Sequence, residues 1–255
     1  MTVAAVIQAR MTSTRLPGKV LLPAAGREML AHQIDRVRRA GSVAKVCVAT
    51  TGNAADDPVA ALAAREGVAV FRGSEHDVLD RFLRAADSVG ATVAVRLTGD
   101  CPLTDPALID AVVGVFHAAA PPVDYASNSF PRTWPIGLDV EVAAMTALRQ
   151  AASEATDPYD REHVMPFLYR QPERFRIARH TAPQDLSGHR WTLDEASDYE
   201  LLRHILEALL PAQPGFGWRE VIALLEAHPE WRDINAGVAQ KQRRYEDRSM
   251  GAAHG

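Results

Sequence analysis

Four short apolar runs, Val3–Ile7, Val46–Thr50, Val68–Phe71 and Thr92–Leu97, alternate with helical patterns through the first half of the chain. Each is too short for a buried helix, and their composition suits strands buried on both faces. Between the first two, Glu28 to Ala40 carries Met29, Leu30, Ile34 and Val37 at helical spacing and stops at Gly41. Asp56 and Pro58 open the next helix with an N-cap acid and a first-turn proline, and Gly67 ends it. The polar loop from Arg72 to Arg81 runs into a third helix, and Asp105-Pro106 starts a fourth that reaches Ala118. Strand and helix alternating over short connections predict a parallel sheet with helices on both faces. The expected fold class is α/β, in three layers around a mostly parallel central sheet.

In such sheets, ligands bind beyond the carboxyl ends of the strands. The first run leads directly into Gln8 to Lys19, a loop with two arginines, a lysine, several hydroxyls and Gly18. Cations gathered at that edge suit a polyanion such as a nucleoside triphosphate. The fourth run delivers Thr98-Gly99-Asp100-Cys101-Pro102. A carboxylate beside a triphosphate is repelled unless a divalent cation lies between them, and Mg²⁺ takes one or two carboxylates together with phosphate oxygens and water. Gly73, Ser74, Asp77 and Arg81 follow the third run at the same edge. With Gln8, Ala9, Thr50 and Thr98 they complete the candidate nucleotide contacts. Neither G-x-x-x-x-G-K-[ST] nor G-x-G-x-x-G occurs, which speaks against a P-loop ATPase and a dinucleotide fingerprint.

Beyond Pro121-Pro122 the pattern changes. Asp124 to Asn128 reads as a strand ending in polar groups, and Leu138 to Val142 as a half-exposed strand with Asp139 and Glu141 on one face. Those acids could hold a metal or bond the hydroxyls of a sugar-like acceptor; Asn128 joins them as an acceptor contact. Helices are expected over Ala143 to Ala155 and from about Asp160 to Arg170, the second carrying Arg161 and His163, with Arg161 able to meet an anionic acceptor. Phe175–Thr181 and His189–Leu193 are strand candidates; Asp194 leads into a helix through Leu209, and Trp218–Ala227 is the last. Asp194 is the second carboxylate candidate. Residues 1–235 read as one domain, with acceptor-side elements and a candidate homodimer surface in about 121–190, and 236–255 as a polar tail.

A net charge of -4 gives no electrostatic case for nucleic acid. The basic clusters Arg36-Arg38-Arg39 and Lys241-Arg243-Arg244 read as solvated surface. Cys47 and Cys101 are too far apart in sequence to suggest a disulfide framework or zinc site. No apolar run approaches the ~18 residues of a membrane-spanning helix, and no leader pattern is present, so the expected location is cytoplasmic with no membrane partner.

The run Ile7-Gln8-Ala9-Arg10-Met11-Thr12-Ser13-Thr14-Arg15-Leu16-Pro17-Gly18-Lys19 closely resembles the start of the spore coat polysaccharide biosynthesis protein F family. These are cytidylyltransferases related to CMP-Kdo synthetase and acylneuraminate cytidylyltransferase. Phe71 to Arg81, Arg96 to Leu103, Gly137 to Glu141, Arg161 to Val164 and Arg190 to Asp194 look like its later blocks, in the right order. The resemblance implies a Rossmann-like, GT-A-like nucleotidyltransferase fold. It implies phosphate binding by Arg10 and Lys19 with Arg15 in support, and Mg²⁺ on Asp100 and Asp194. Two positions depart from the pattern: Thr12 replaces a second glycine, and Ala196 a proline near Asp194.

The expected activity is transfer of CMP from CTP to an acidic sugar or related acceptor, with release of pyrophosphate. Arg10, Lys19 and Asp100 form its catalytic set. The rival readings are a GT-A-type glycosyltransferase that consumes a nucleotide sugar, and a non-catalytic nucleotide-binding module.

Overall fold

The computed structural model describes residues 1–239. The tail expected from 236 and the cluster Lys241-Arg243-Arg244 therefore fall largely or wholly outside the described residues. The four apolar runs form β1 (Val3–Gln8), β4 (Lys45–Thr51), β5 (Ala69–Gly73) and β6 (Val93–Thr98). They pair in parallel in the order β5-β4-β1-β6. The chain builds outward from β1 to β4 and β5, then crosses back to lay β6 on the other side. The carboxyl ends of β1 and β6 thus flank the point where strand order reverses, the place where open α/β sheets bind ligands.

Three further strands extend the sheet: β7 (Tyr125–Ser127), β8 (Glu141–Ala144) and β9 (Ile177–Arg179). The order continues β6-β8-β7-β9, and β8 is antiparallel to both of its neighbours. A small hairpin, β2 (Pro23–Ala24) with β3 (Arg27–Glu28), stands apart.

Alternate residues of each strand feed two separate cores. Val3, Ala5 and Ile7 pack with α1 (Met29–Val37), α2 (Asp57–Arg65), α4 (Pro106–Ala118), α8 (Ala196–Leu209) and α9 (Trp218–Ala227). Ala4 and Val6 pack with α3 (Val78–Ser88), α5 (Met145–Glu154) and α7 (Pro166–Tyr169). Along β1, β4 and β6 both faces are largely dry, which is why those strands read as apolar runs; β5, at the sheet edge, is only partly buried.

The structure departs from the sequence reading in four places, three of them in the second half. Val140 to Ala143 are all buried, so the segment around Glu141 is an interior strand and Asp139 precedes it. The expected helix from Asp160 to Arg170 is two short ones, α6 (Pro158–His163) and α7, separated by Val164 at φ 73°. Pro166 has no N–H to donate to the Glu162 carbonyl and its ring crowds that carbonyl, so the first helix cannot run through; the turn is made at Val164, and Met165 is already helical at the start of α7. His189–Leu193 forms no strand beyond a bridge between Ile136 and Arg190. Finally, Arg36 is not solvated: it is 2% exposed, donates from Nε to the Thr104 carbonyl at 2.8 Å, and lies 4.3 Å over the Phe216 ring.

Burial holds three imidazoles below their ordinary 6.5: His32, whose Nε2 lies 2.7 Å from the Ala24 carbonyl oxygen, His180 and His189. The folded chain keeps them neutral while the unfolded chain takes up protons below 6.5. Their contribution is therefore complete above that value and is lost as pH falls through the folded-state pKa values. The urea midpoint should drop between about pH 7.5 and about pH 5.5. An unchanged midpoint would count against neutral burial.

Candidate active site

The topology brings the residues that follow β1, β4, β5, β6 and β7 to one edge. Two contacts close that edge at its centre. Gly99 N–H donates to the Gln8 carbonyl at 2.8 Å. A Cβ on Gly99 would sit 2.8 Å from the Ala9 Cβ and 2.9 Å from the Gln8 carbonyl oxygen. Only glycine lets the two loops touch. Gly99→Ala should push them apart, costing about 1–3 kcal/mol of stability and weakening nucleotide binding more than the fold. Calorimetric titration with CTP beside a melting curve checks it; unchanged CTP affinity contradicts it.

Asp194 arrives at the same place from far along the chain. Trp191 N–H donates to the Ile136 carbonyl at 2.7 Å, and Leu193 N–H to the Asp100 carbonyl at 2.8 Å. Gly137, at φ +104°, permits this approach, because a Cβ there would lie 2.4 Å from the Trp191 carbonyl oxygen. Asp198 then reaches back from the first turn of α8 and accepts the N–H groups of Asp194 and Glu195, both at 3.0 Å. Glu195 holds the N-cap position of α8 in a capping box with Asp198, so the Asp194 carboxylate is spared from capping.

Lys19 is the centre of the site. It opens a 3₁₀ turn (Lys19–Leu21), and Nζ donates to Asp100 Oδ2 at 3.0 Å and to Asp194 Oδ1 at 2.8 Å. Arg15 pairs with Asp194 Oδ2 at 2.7 Å and with Glu195 at 3.3 Å. Arg190, 8% exposed, reaches Asp194 Oδ2 at 3.2 Å and holds Asp198 in a bidentate pair with both bonds at 2.9 Å. Burial pushes the Asp100 carboxyl up, but the Lys19 ammonium and hydrogen bonds from Thr98, Lys19 and Cys101 outweigh it and hold the carboxyl below its ordinary value. Burial likewise opposes the charge on Lys19, and the two carboxylates overcome it, so the ammonium is retained more firmly than usual. Cys101, by contrast, is a packed thiol pushed well up by burial.

The other candidates fall into place around this core. Arg10 is half-exposed and pairs with Glu75 at 3.1 Å. Glu75 also accepts from Thr12 Oγ1 at 3.1 Å and Asn53 Nδ2 at 2.6 Å. Thr12 therefore does its work through its hydroxyl, and its φ is not positive. Gln8 accepts from Arg96 Nε at 2.6 Å, and Thr98 Oγ1 lies 3.3 Å from Cys101 Sγ. Thr50 is fully buried with its hydroxyl unpartnered. A Cβ on Gly73 would press on Arg81, which is 4% exposed and donates to the Ser74 carbonyl. Ser74 Oγ accepts the Asp77 N–H at 3.0 Å, and Asp77 caps α3 through the Asp80 N–H at 3.0 Å.

The acceptor candidates do not converge on one free surface. Asn128 is buried and spends its amide on Leu138 O and Val140 N, both at 2.8 Å. Asp139 accepts from Arg132 at 2.9 Å and Ser129 at 3.1 Å. Glu141 does not share a solvent-facing strand with Asp139: it is 4% exposed, taken by Arg96 and by the Tyr125 hydroxyl at 2.7 Å. Arg161 is bound to Asp77 and to the Ala152 carbonyl. His163 ends α6 with its ring 4.2 Å from Tyr159.

Three residues stand outside the site candidates read from the sequence: Asp198, Glu75 and Arg96. Asp198 had a readable signal, an acid three residues after Glu195 at a helix start. Arg96 had one too, a charge inside an otherwise apolar strand that calls for a buried partner. Glu75 had none.

The cytidylyltransferase family model matches residues 4–210, and that span takes in every group just described. The chain belongs to the cytidylyltransferase family. The chain is 35% identical over 243 residues to the spore coat polysaccharide biosynthesis protein SpsF of Bacillus subtilis, a match covering 88% of this chain and 94% of SpsF. The solved structure of a cytidylyltransferase from Leptospira borgpetersenii superposes with a TM-score of 0.87 at 33% identity, over 95% of this chain and all of that one. CMP-2-keto-3-deoxy-manno-octonic acid synthetase, solved with CTP, shares the fold with a TM-score of 0.64 at 18% identity, over 82% of this chain and 99% of that one. Family membership decides for nucleotidyl transfer over glycosyl transfer. No helix among the described residues is long and apolar enough to cross a membrane.

The donor set suits Mg²⁺. Among the described residues no cluster of three or more His, Cys, Asp or Glu is arranged for a metal, so no protein-only cage exists. Two carboxylates from different loops meet on one cation, the Lys19 ammonium, which stands where a metal ion would draw on the same oxygens. Mg²⁺ is bound in this way, by one or two carboxylates with the rest of its shell left to phosphates and water.

Proposed function

We propose that this family member transfers CMP from CTP to an acidic sugar or related acceptor, releasing pyrophosphate, in the making of a polysaccharide, glycoconjugate or secondary metabolite. The observation that carries the reading is the meeting of Lys19, Asp100 and Asp194 at the point of strand-order reversal, with Arg15 and Arg10 on the same loop. Arg10 and Lys19 bind triphosphate oxygens, and Arg15 supports them while orienting Asp194. Asp100 and Asp194 would hold Mg²⁺, which when bound offsets charge on the α-phosphate and lowers the barrier to its attack.

The residues of the chain need form no covalent bond. An acceptor oxygen attacks the α-phosphorus in line, the bond to the β-phosphate breaks, and pyrophosphate carries away the electron pair. Positive charge fixed on the β1 loop stabilises that leaving group, and the touching loops at Gly99 hold the nucleotide for attack. The resemblance of SpsF and of the manno-octonic acid enzyme to this chain supports a sugar-derived acceptor.

Pyrophosphate release from each of the four common nucleoside triphosphates, offered with a panel of 2-keto sugar acids, phosphonates, sugar phosphates and cyclitols, tests the proposal. Release is expected with CTP and an acidic acceptor. Release with a purine triphosphate alone, or none with any pair, would refute it.

A further inference from the structure

The two acids that would share a divalent ion are already bridged by a cation the chain supplies. Lys19 takes one oxygen from each, and the whole residue is only 9% exposed, so solvent does not dilute the contact. The second oxygen of Asp194 faces Arg15 at 2.7 Å and Arg190 at 3.2 Å. The second oxygen of Asp100 faces the Cys101 thiol, at 3.5 Å. A divalent ion and the ammonium therefore compete for Asp100 Oδ2 and Asp194 Oδ1. An ion added beside Lys19, Arg15 and Arg190 would set positive charge against positive charge. It gains both carboxylates only when Lys19 leaves, and a buried ammonium leaves one anion only for another.

A triphosphate is such an anion, and the flexible four-carbon stem of lysine can carry the charge to it. The geometry points to Lys19 as an internal counter-ion that makes divalent-cation binding conditional on nucleotide. It positions Asp100 and Asp194 before CTP arrives and gives them up as it turns to phosphate oxygens. The inference rests on the proposal that these two acids hold the metal. It goes beyond phosphate binding by Lys19, because it assigns the residue a task when no phosphate is bound.

The experiment titrates Mn²⁺ into the full chain, following the loss of its free electron paramagnetic resonance signal, with melting curves in Mg²⁺ alongside. Without nucleotide, the wild type should bind Mn²⁺ weakly. Lys19→Met should bind it at least about tenfold tighter, since the competing charge is gone. Lys19→Met should also melt below the wild type and recover on addition of Mg²⁺ alone. Lys19→Arg, which keeps a cation, should gain no affinity, and adding Asp100→Asn to Lys19→Met should cancel the gain. Should Lys19→Met fail to fold, Lys19→Gln bridges the acids without charge and makes the same comparison.

A non-hydrolysable CTP analogue separates the two readings. If the wild type with analogue holds Mn²⁺ through Asp100 but neither neutral Lys19 variant outbinds the wild type without it, the counter-ion role is overturned and the metal site stands. If Asp100→Asn and Asp194→Asn leave Mn²⁺ binding in the analogue complex unchanged, both are overturned.

Discussion

Asp100→Asn should lose about 10²–10³ in kcat while the fold stays intact, the loss typical of removing one preorganised charge from a transition state. The substitution is nearly isosteric. The backbone carbonyl of Asp100 still accepts from Leu193, so Asp194 is still delivered, and Lys19 still has Asp194 at 2.8 Å. What disappears is a full negative charge, held below its ordinary pKa by the ammonium, at the carboxyl end of β6. Turnover measured as pyrophosphate release across a Mg²⁺ titration, with a melting curve on the same sample, gives both quantities. Near-normal turnover at limiting Mg²⁺ would remove Asp100 from the chemistry.

Asp198→Ala should act through the opposite channel, stability first and activity second. Asp198 is fully buried and accepts from Arg190 twice, from Asn235 at 2.9 Å, and from two backbone amides. Removing it takes two charged hydrogen bonds from a guanidinium that is 8% exposed, and breaking one side of a buried pair costs about 3–5 kcal/mol. Arg190 already reaches Asp194 and should draw it from Lys19. Denaturant unfolding should show the loss, and turnover per folded molecule should fall as well. A cost below about 1 kcal/mol would mean the pair behaves as an exposed one. Asp198→Asn keeps an acceptor for the amides and should be milder on both measures.

How much of this could be read in the sequence depended on the strand environment. The runs that became β1, β4, β5 and β6 were legible because parallel strands with helices on both faces carry apolar residues on both sides. Leu138 to Val142 misled because alternation usually marks one wet face. Here the acid side is also buried, and Glu141 is tolerated there only because Arg96 and Tyr125 meet it. No local pattern announces that, since its partners lie 45 and 16 residues away. The site divided similarly. The cationic loop and Asp100 stood out as charges directly after apolar runs. The acceptor side did not, because Asn128, Asp139 and Arg161 looked free in sequence and are committed to Leu138, Arg132 and Asp77 in the fold.

The Leu193–Asp100 backbone bond has a bearing on when the protein becomes competent. Lys19 is separated by 81 residues from one carboxylate and by 175 from the other. During synthesis the parallel half of the sheet can be complete, with its cationic loop formed, long before Asp194 leaves the ribosome. Contacts of such long range form late, because ordering the intervening chain must come first. A chain cut short between β6 and Asp194 would keep the cations of the β1 loop and lack one of the two acids that Lys19 meets. On the proposal that Asp194 helps to hold the metal, full competence for turnover waits until synthesis has passed Asp194 and folding has brought it beside Asp100.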